Sequence, residues 1–151
     1  MKTLSLSLSE FLTNKSYFKI KMHPIASNHF KIISKINGVK GIFILDTGAS
    51  TTFIDLKLGD KFKLITEPST IKAHGAGRDK IDTLLSKKNT LSIGGWIKKR
   101  FPISLIDLSY VNDAFESIDA PAVDGIIGAD ILKKGFAVID YEKRYLYLKH
   151  K

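Results

Sequence analysis

Cysteine is absent from the 151 residues, which excludes a disulfide framework and any thiolate metal site. A chain without cysteine suits a reducing compartment, and the cytoplasm is the expected location. Long apolar runs are missing too. In the first 22 residues the leucines alternate with serines and Glu10 follows soon after, whereas a secretory signal needs roughly 7 to 15 uninterrupted apolar residues. No stretch approaches the roughly 20 residues that span a membrane as a helix, so no membrane partner is expected. No repeat of roughly 20 to 50 residues, low-complexity tract or linker divides the chain. The four histidines are scattered without metal-ligand spacing, so neither a metal nor another cofactor is expected.

Acidic residues are scarce, 15 against 24 Lys and Arg, for a net charge of +9. Residues 1–45 hold seven lysines and one Glu, while residues 101–132 hold six acids and no base. A basic excess can serve nucleic acid or other polyanions. Here the lysines mostly alternate with apolar residues, as in "YFKIKM" and "HFKIISKI", the pattern of a strand's solvent face. No basic patch is interleaved with aromatics, so no nucleic-acid partner is expected.

With 44% apolar and 26% charged residues the chain is of ordinary globular composition, long enough for one domain with its own core. Short strands dominate. Residues 17–22 and 29–36 read as strands, and Asn37-Gly38 then links the latter to the apolar run 39–45. Asn-Gly between apolar runs is a strong hairpin signal, because both residues accept positive φ. A second hairpin is expected over residues 69–74 and 78–85 with Gly75-Ala76-Gly77 at its tip, and a third turning at Gly94-Gly95. Residues 109–117 are weakly helical. An apolar strand then ends at Gly128, a short helix covers 129–134 with Gly135 as its C-cap, and strands at 136–140 and 144–149 close the chain. The sum is an all-β fold with one or two short helices, closer to a closed barrel than an open sheet.

The run "GIFILDTGAS" poses the functional question. A strand this apolar ends on Asp46, either as a plain turn residue or as a carboxylate carried to a cleft. Asp-Thr-Gly alone is weak, since such a tripeptide arises by chance in roughly a few per cent of chains this long. Its context adds three features: the Asn-Gly hairpin before it, the glycine-tipped hairpin about 30 residues later, and the strand Ile126-Ile127-Gly128. In this order, "FILDTGAST", "AHGAG", "DGIIGADIL" and "FAVIDYEKRYLYL" resemble the aspartic proteases, and among them the retropepsin-like, single-motif group. The resemblance covers residues 28–151. Residues 1–27 lie outside it, as an extra strand or a dimer arm.

That resemblance implies a retropepsin-like closed β-barrel and an aspartic endopeptidase active as a homodimer, with a peptide or protein substrate. Each subunit would supply Asp46 across a two-fold axis. Two carboxylates about 3 Å apart cannot both ionise, so the pair holds one proton; this is the behaviour known for the class. Thr47 would brace the pair by hydrogen bonds to the opposite subunit's loop, and Gly48 would let its N–H approach the carboxylate. At Ala49 many pepsin-like enzymes place a hydroxyl that stabilises the anion. Alanine cannot, which implies a pH optimum nearer neutrality than pepsin's. Ala73, His74, Gly75, Ala76 and Gly77, running on to Arg78, occupy the place of the flap, with His74 read as a surface residue. Ile126, Ile127 and Gly128 would pack under the active-site loop.

One departure stands out. The retroviral enzymes follow the second apolar run with Gly-Arg-Asn/Asp, whose arginine pairs with an acid beyond the catalytic motif. Here the residues are Gly128-Ala129-Asp130 and Ser50-Thr51, so both partners are missing and the retroviral mode of dimerisation is in question. Asp124 could be a second catalytic acid, but reads as a loop or capping residue. Asp82, Asp107 and Asp140 read as turn residues, and Trp96 as core or dimer interface. The rival functional reading is a non-catalytic module that keeps the fold for dimerisation or peptide binding, against which stands the intact Asp-Thr-Gly-Ala.

Overall fold

The computed structural model describes residues 5–69 and 83–151. The expected hairpin leading to Asp46 is formed by β3 (Phe30–Ile36) and β4 (Val39–Leu45), paired in register from Phe30↔Leu45 to Ile36↔Val39. Asn37 and Gly38 turn it at φ +51° and +82°, the left-handed pair that a two-residue hairpin requires. β4 then pairs in parallel with β9 (Gly125–Ile127), and β9 pairs antiparallel with β5 (Phe53–Asp55) on its other side. β5 runs parallel to β8 (Trp96–Ile106), which forms the third expected hairpin with β7 (Leu84–Ile93). Pairing of β3 with β7 at Lys35↔Ser92 and Ile36↔Leu91 closes the ring. Six strands in the order β3-β4-β9-β5-β8-β7 therefore form a closed barrel, with β2 (His23–Pro24) beside β3 and β6 (Glu67–Pro68) beside β7.

Alternation fills the barrel. Ile32 and Ile36 of β3, Phe43 of β4, Leu91 and Ile93 of β7, and Phe101, Ile103 and Leu105 of β8 are all buried in one core. Closure is fixed by a polar contact. Asn37 Nδ2 donates to Phe62 O and to Asn89 Oδ1, both at 2.9 Å, and Asn37 Oδ1 accepts from Thr90 N at 3.0 Å. Asn89 is itself buried at an irregularity in the β7–β8 register.

A second sheet, in the order β1-β11-β10, joins the two ends of the chain. β11 (Tyr145–Leu148) lies in the middle, antiparallel to both β1 (Phe18–Lys21) and β10 (Val138–Asp140). Trp96 is buried beneath it and donates to Lys149 O at 3.0 Å.

Among the described residues there are three short α-helices where one or two were expected. α2 (Ser109–Glu116) and α3 (Ala129–Lys134) fall where the sequence reading placed them, and α2 packs Phe115 against Ile44 of β4. The additional helix is α1 (Leu8–Asn14), in the N-terminal segment read without any helix; Ser7 caps it by accepting from Glu10 N at 3.1 Å.

Gly135 is the C-cap of α3, as expected, at φ −92°; the left-handed residue is its neighbour Phe136, at φ +49°. Phe136 N donates to Lys133 O at 3.2 Å and Ala137 N to Leu132 O at 2.9 Å, the double closure that ends many helices on a left-handed glycine. Residues 136 and 137 thus belong to this cap, and the strand expected from 136 begins at Val138.

Candidate active site

β4 carries Asp46 to its C-terminal end, where the chain leaves the sheet and returns as β5. Because β9 lies between these strands, the connecting loop, residues 46–52, must arch over the end of β9. Three hydrogen bonds hold it there: Asp46 N to Ile127 O at 3.0 Å, Ala129 N to Ala49 O at 2.7 Å, and Gly128 N to Thr52 Oγ1 at 3.1 Å. Gly128 is required by the fit. A Cβ at that position would lie 2.7 Å from both Ala49 O and Thr51 O, closer than real contacts allow.

Asp46 is half-buried, whereas Thr47 and Gly48 are exposed at the crown of the loop. Asp46 Oδ1 accepts the Gly48 N–H at 2.9 Å, and Ala49 N donates to Asp46 O at 3.2 Å. The carboxylate is thus oriented by its own loop and open on one side. Ala49 offers it no hydroxyl. Beside Thr47 lies a cavity of about 400 Å³, lined also by Ala129, Leu132, Lys133, Phe136 and Ile139.

The missing arginine–acid pair has a replacement that sequence reasoning did not find. Thr52 is fully buried; its hydroxyl donates to Asp130 Oδ1 at 2.7 Å and its N–H to Asp130 Oδ2 at 3.0 Å. Asp130 also accepts from Ile131 N at 2.8 Å. One carboxylate at the start of α3 therefore ties the returning arm of the loop to the helix beneath it. The signal was present as "TTF" and "GAD", but 78 residues separate the partners.

Asp124 is occupied structurally. Its Oδ2 accepts from Ile42 N at 2.8 Å, and its Oδ1 meets Lys61 Nζ at 3.2 Å. Asp107 and Asp140 accept from Ser109 N and Lys143 N within local turns. Asp82 and the expected flap, Ala73, His74, Gly75, Ala76 and Gly77, lie outside the described residues. On either side of them β6 pairs with β7, and Ser69 N donates to Thr83 O at 3.1 Å. Among the described residues no three His, Asp or Glu side chains converge as metal ligands would.

The aspartyl protease family model matches residues 32–131, from β3 into α3, about two thirds of the chain. The chain belongs to the aspartyl proteases. Its fold is retropepsin-like. It is similar to a retropepsin-like aspartic protease from Rickettsia conorii, with 20% identity, TM-score 0.55, and 89% of this chain and 92% of that one covered. It is likewise similar to the EIAV protease in complex with the inhibitor HBY-793, at 21% identity and TM-score 0.54, covering 72% and 88%. The retroviral protease-like domain of Ddi1 from Leishmania major matches at 17% identity and TM-score 0.54, covering 78% and 86%. No curated protein matches the chain in sequence. At the level of the family, the chain belongs with the peptide hydrolases.

Proposed function

We propose that this aspartyl protease is an endopeptidase active as a homodimer, with a catalytic pair made of Asp46 from each of two chains. The observation that carries this reading is the single Asp-Thr-Gly loop, built on rigid strands and open on one side. One carboxylate cannot be both base and acid in the same step. In the dimer, the ionised Asp46 takes a proton from a water held between the pair. That water attacks the scissile carbonyl carbon, while the protonated Asp46 hydrogen-bonds the carbonyl oxygen. Collapse of the tetrahedral intermediate, with a proton delivered to the amide nitrogen, releases the two peptide fragments. No covalent acyl-enzyme is formed.

The two-fold contact differs in our reading from an exchange of C-terminal strands. Both edges of β11 are already hydrogen-bonded, to β1 and β10 of the same chain. Among the described residues, β10 is an unpaired edge of its sheet, and its Ile139 lines the cavity beside Thr47. We place the subunit contact there. The cytoplasm remains the location we propose.

Cleavage of a diverse peptide mixture, read by mass spectrometry from about pH 4 to 7.5, tests the activity. Asp46→Asn keeps the size but removes the shared proton, and should lower turnover at least about a thousandfold. The optimum should lie well above about pH 3, because Ala49 withholds one donor from the anion. Wild type inactive throughout, at concentrations where it is dimeric, would favour the non-catalytic binding module instead.

A further inference from the structure

Phe136 combines three properties that seldom coincide. It has a side chain where the backbone favours glycine, with φ at +49°. It is large and apolar, yet 46% exposed. It also lines the same cavity as Thr47 of the catalytic loop. A non-glycine residue held left-handed persists only when its surroundings over-determine it, and such residues concentrate at functional positions.

The surroundings here are specific. Phe136 O accepts from Tyr17 Oη at 2.8 Å, a contact from 119 residues away, and the neighbouring Gly135 O accepts from Lys149 N at 2.8 Å. Lys149 Nζ sits 5.6 Å from the ring centroid. Gly135 itself cannot take over a larger side chain, because its Cβ would lie 2.6 Å from Leu148 Cδ2. Residues near both ends of the chain thus hold the backbone at Phe136, while its ring remains 46% exposed. Fold stability alone would be better served by glycine at 136.

We infer that Phe136 is the anchor of the two-fold contact, the Phe136 of each copy filling the cavity beside Thr47 on the other. This rests on the homodimer proposed above. The occupant is a second copy, because the single Asp46 loop is incomplete without one and the cavity adjoins that loop. A patch holding both the protruding ring and the apolar cavity is self-complementary, as a two-fold interface must be. An aromatic side chain set in an apolar pocket is the usual form of an interface anchor, and a backbone already held in place loses little freedom on binding.

The test is the dimer dissociation constant by sedimentation velocity for wild type, Phe136→Gly and Phe136→Ala, beside urea unfolding at dilutions where each is monomeric. Both variants should dissociate at least about 30-fold more readily, the scale of an interface anchor. Monomeric Phe136→Gly should unfold at the same or a higher urea concentration than wild type, since glycine relieves the left-handed backbone. Opposite effects on dimer and fold are the signature. A dimeric wild type whose two variants dissociate within about threefold of it would overturn the anchor and leave the homodimer standing. A Phe136→Gly monomer less stable than wild type would overturn it as well, since the ring would then serve the fold. A wild type monomeric at every attainable concentration would remove the homodimer and the anchor together.

Discussion

Gly48 N–H and the Asp46 carboxylate form a unit whose geometry is set by the strand beneath it, and both residues were legible as a motif. Their support was only half legible. Ile126, Ile127 and Gly128 stand under the loop, but the Thr52–Asp130 link did not show in sequence. There Asp130 could be read only as the absence of a familiar arginine. A buried threonine between a carboxylate and a glycine N–H is visible only once the chain has folded. The lysine-rich N-terminal third also has a residue-scale consequence. Burial, then the charges of Lys21 and Lys31, hold the His23 pKa below its ordinary value. When the pH falls below about 6.5, the unfolded chain takes up this proton before the folded one. Stability from His23 is therefore full above that pH and is lost progressively as pH drops through the lowered folded value. An NMR titration of the imidazole should give a midpoint below about 6.5 that climbs with salt as the lysines are screened. A midpoint at or above that value would contradict the arrangement.

At the scale of elements, the sequence was read best where turn chemistry is local. Asn37-Gly38 placed β3 and β4, Gly94-Gly95 placed the β7–β8 turn, and the apolar run before Gly128 placed β9 and α3. α1 was missed because alternating Leu and Ser resembles a strand, although Ser7 and Glu10 carry the spacing of a capping box. β5 was missed for another reason. A three-residue strand has no period of its own, and its place between β8 and β9 comes entirely from distant partners. Asn37 does more than turn its hairpin, since its side chain reaches Phe62 and residues 89 and 90 of β7. Asn37→Gly keeps the turn conformation and deletes those contacts. It should cost about 1–3 kcal/mol in denaturant unfolding, the range for stranding buried polar partners. A loss below about 0.3 kcal/mol would mean that strand pairing alone closes the barrel.

The whole molecule is a closed six-stranded barrel with a second sheet made from its two chain ends. Closure was anticipated from the density of short strands. The central place of β11 was not, because alternation in "RYLYLK" says that a strand forms and not which strands flank it. That placement matters for the homodimer we propose: with both edges of β11 used within one chain, the proposed subunit contact is the surface around β10, Phe136 and Thr47. Since each chain carries one Asp46 loop, activity should depend on pairing. The most direct test mixes wild type with increasing Asp46→Asn protein at fixed total concentration, allows subunits to exchange, and follows peptide cleavage. If two chains share one site, mixed dimers hold a single functional carboxylate, and activity falls as the square of the wild-type fraction. Activity falling in simple proportion to that fraction would mean that each chain works alone, and would contradict the account.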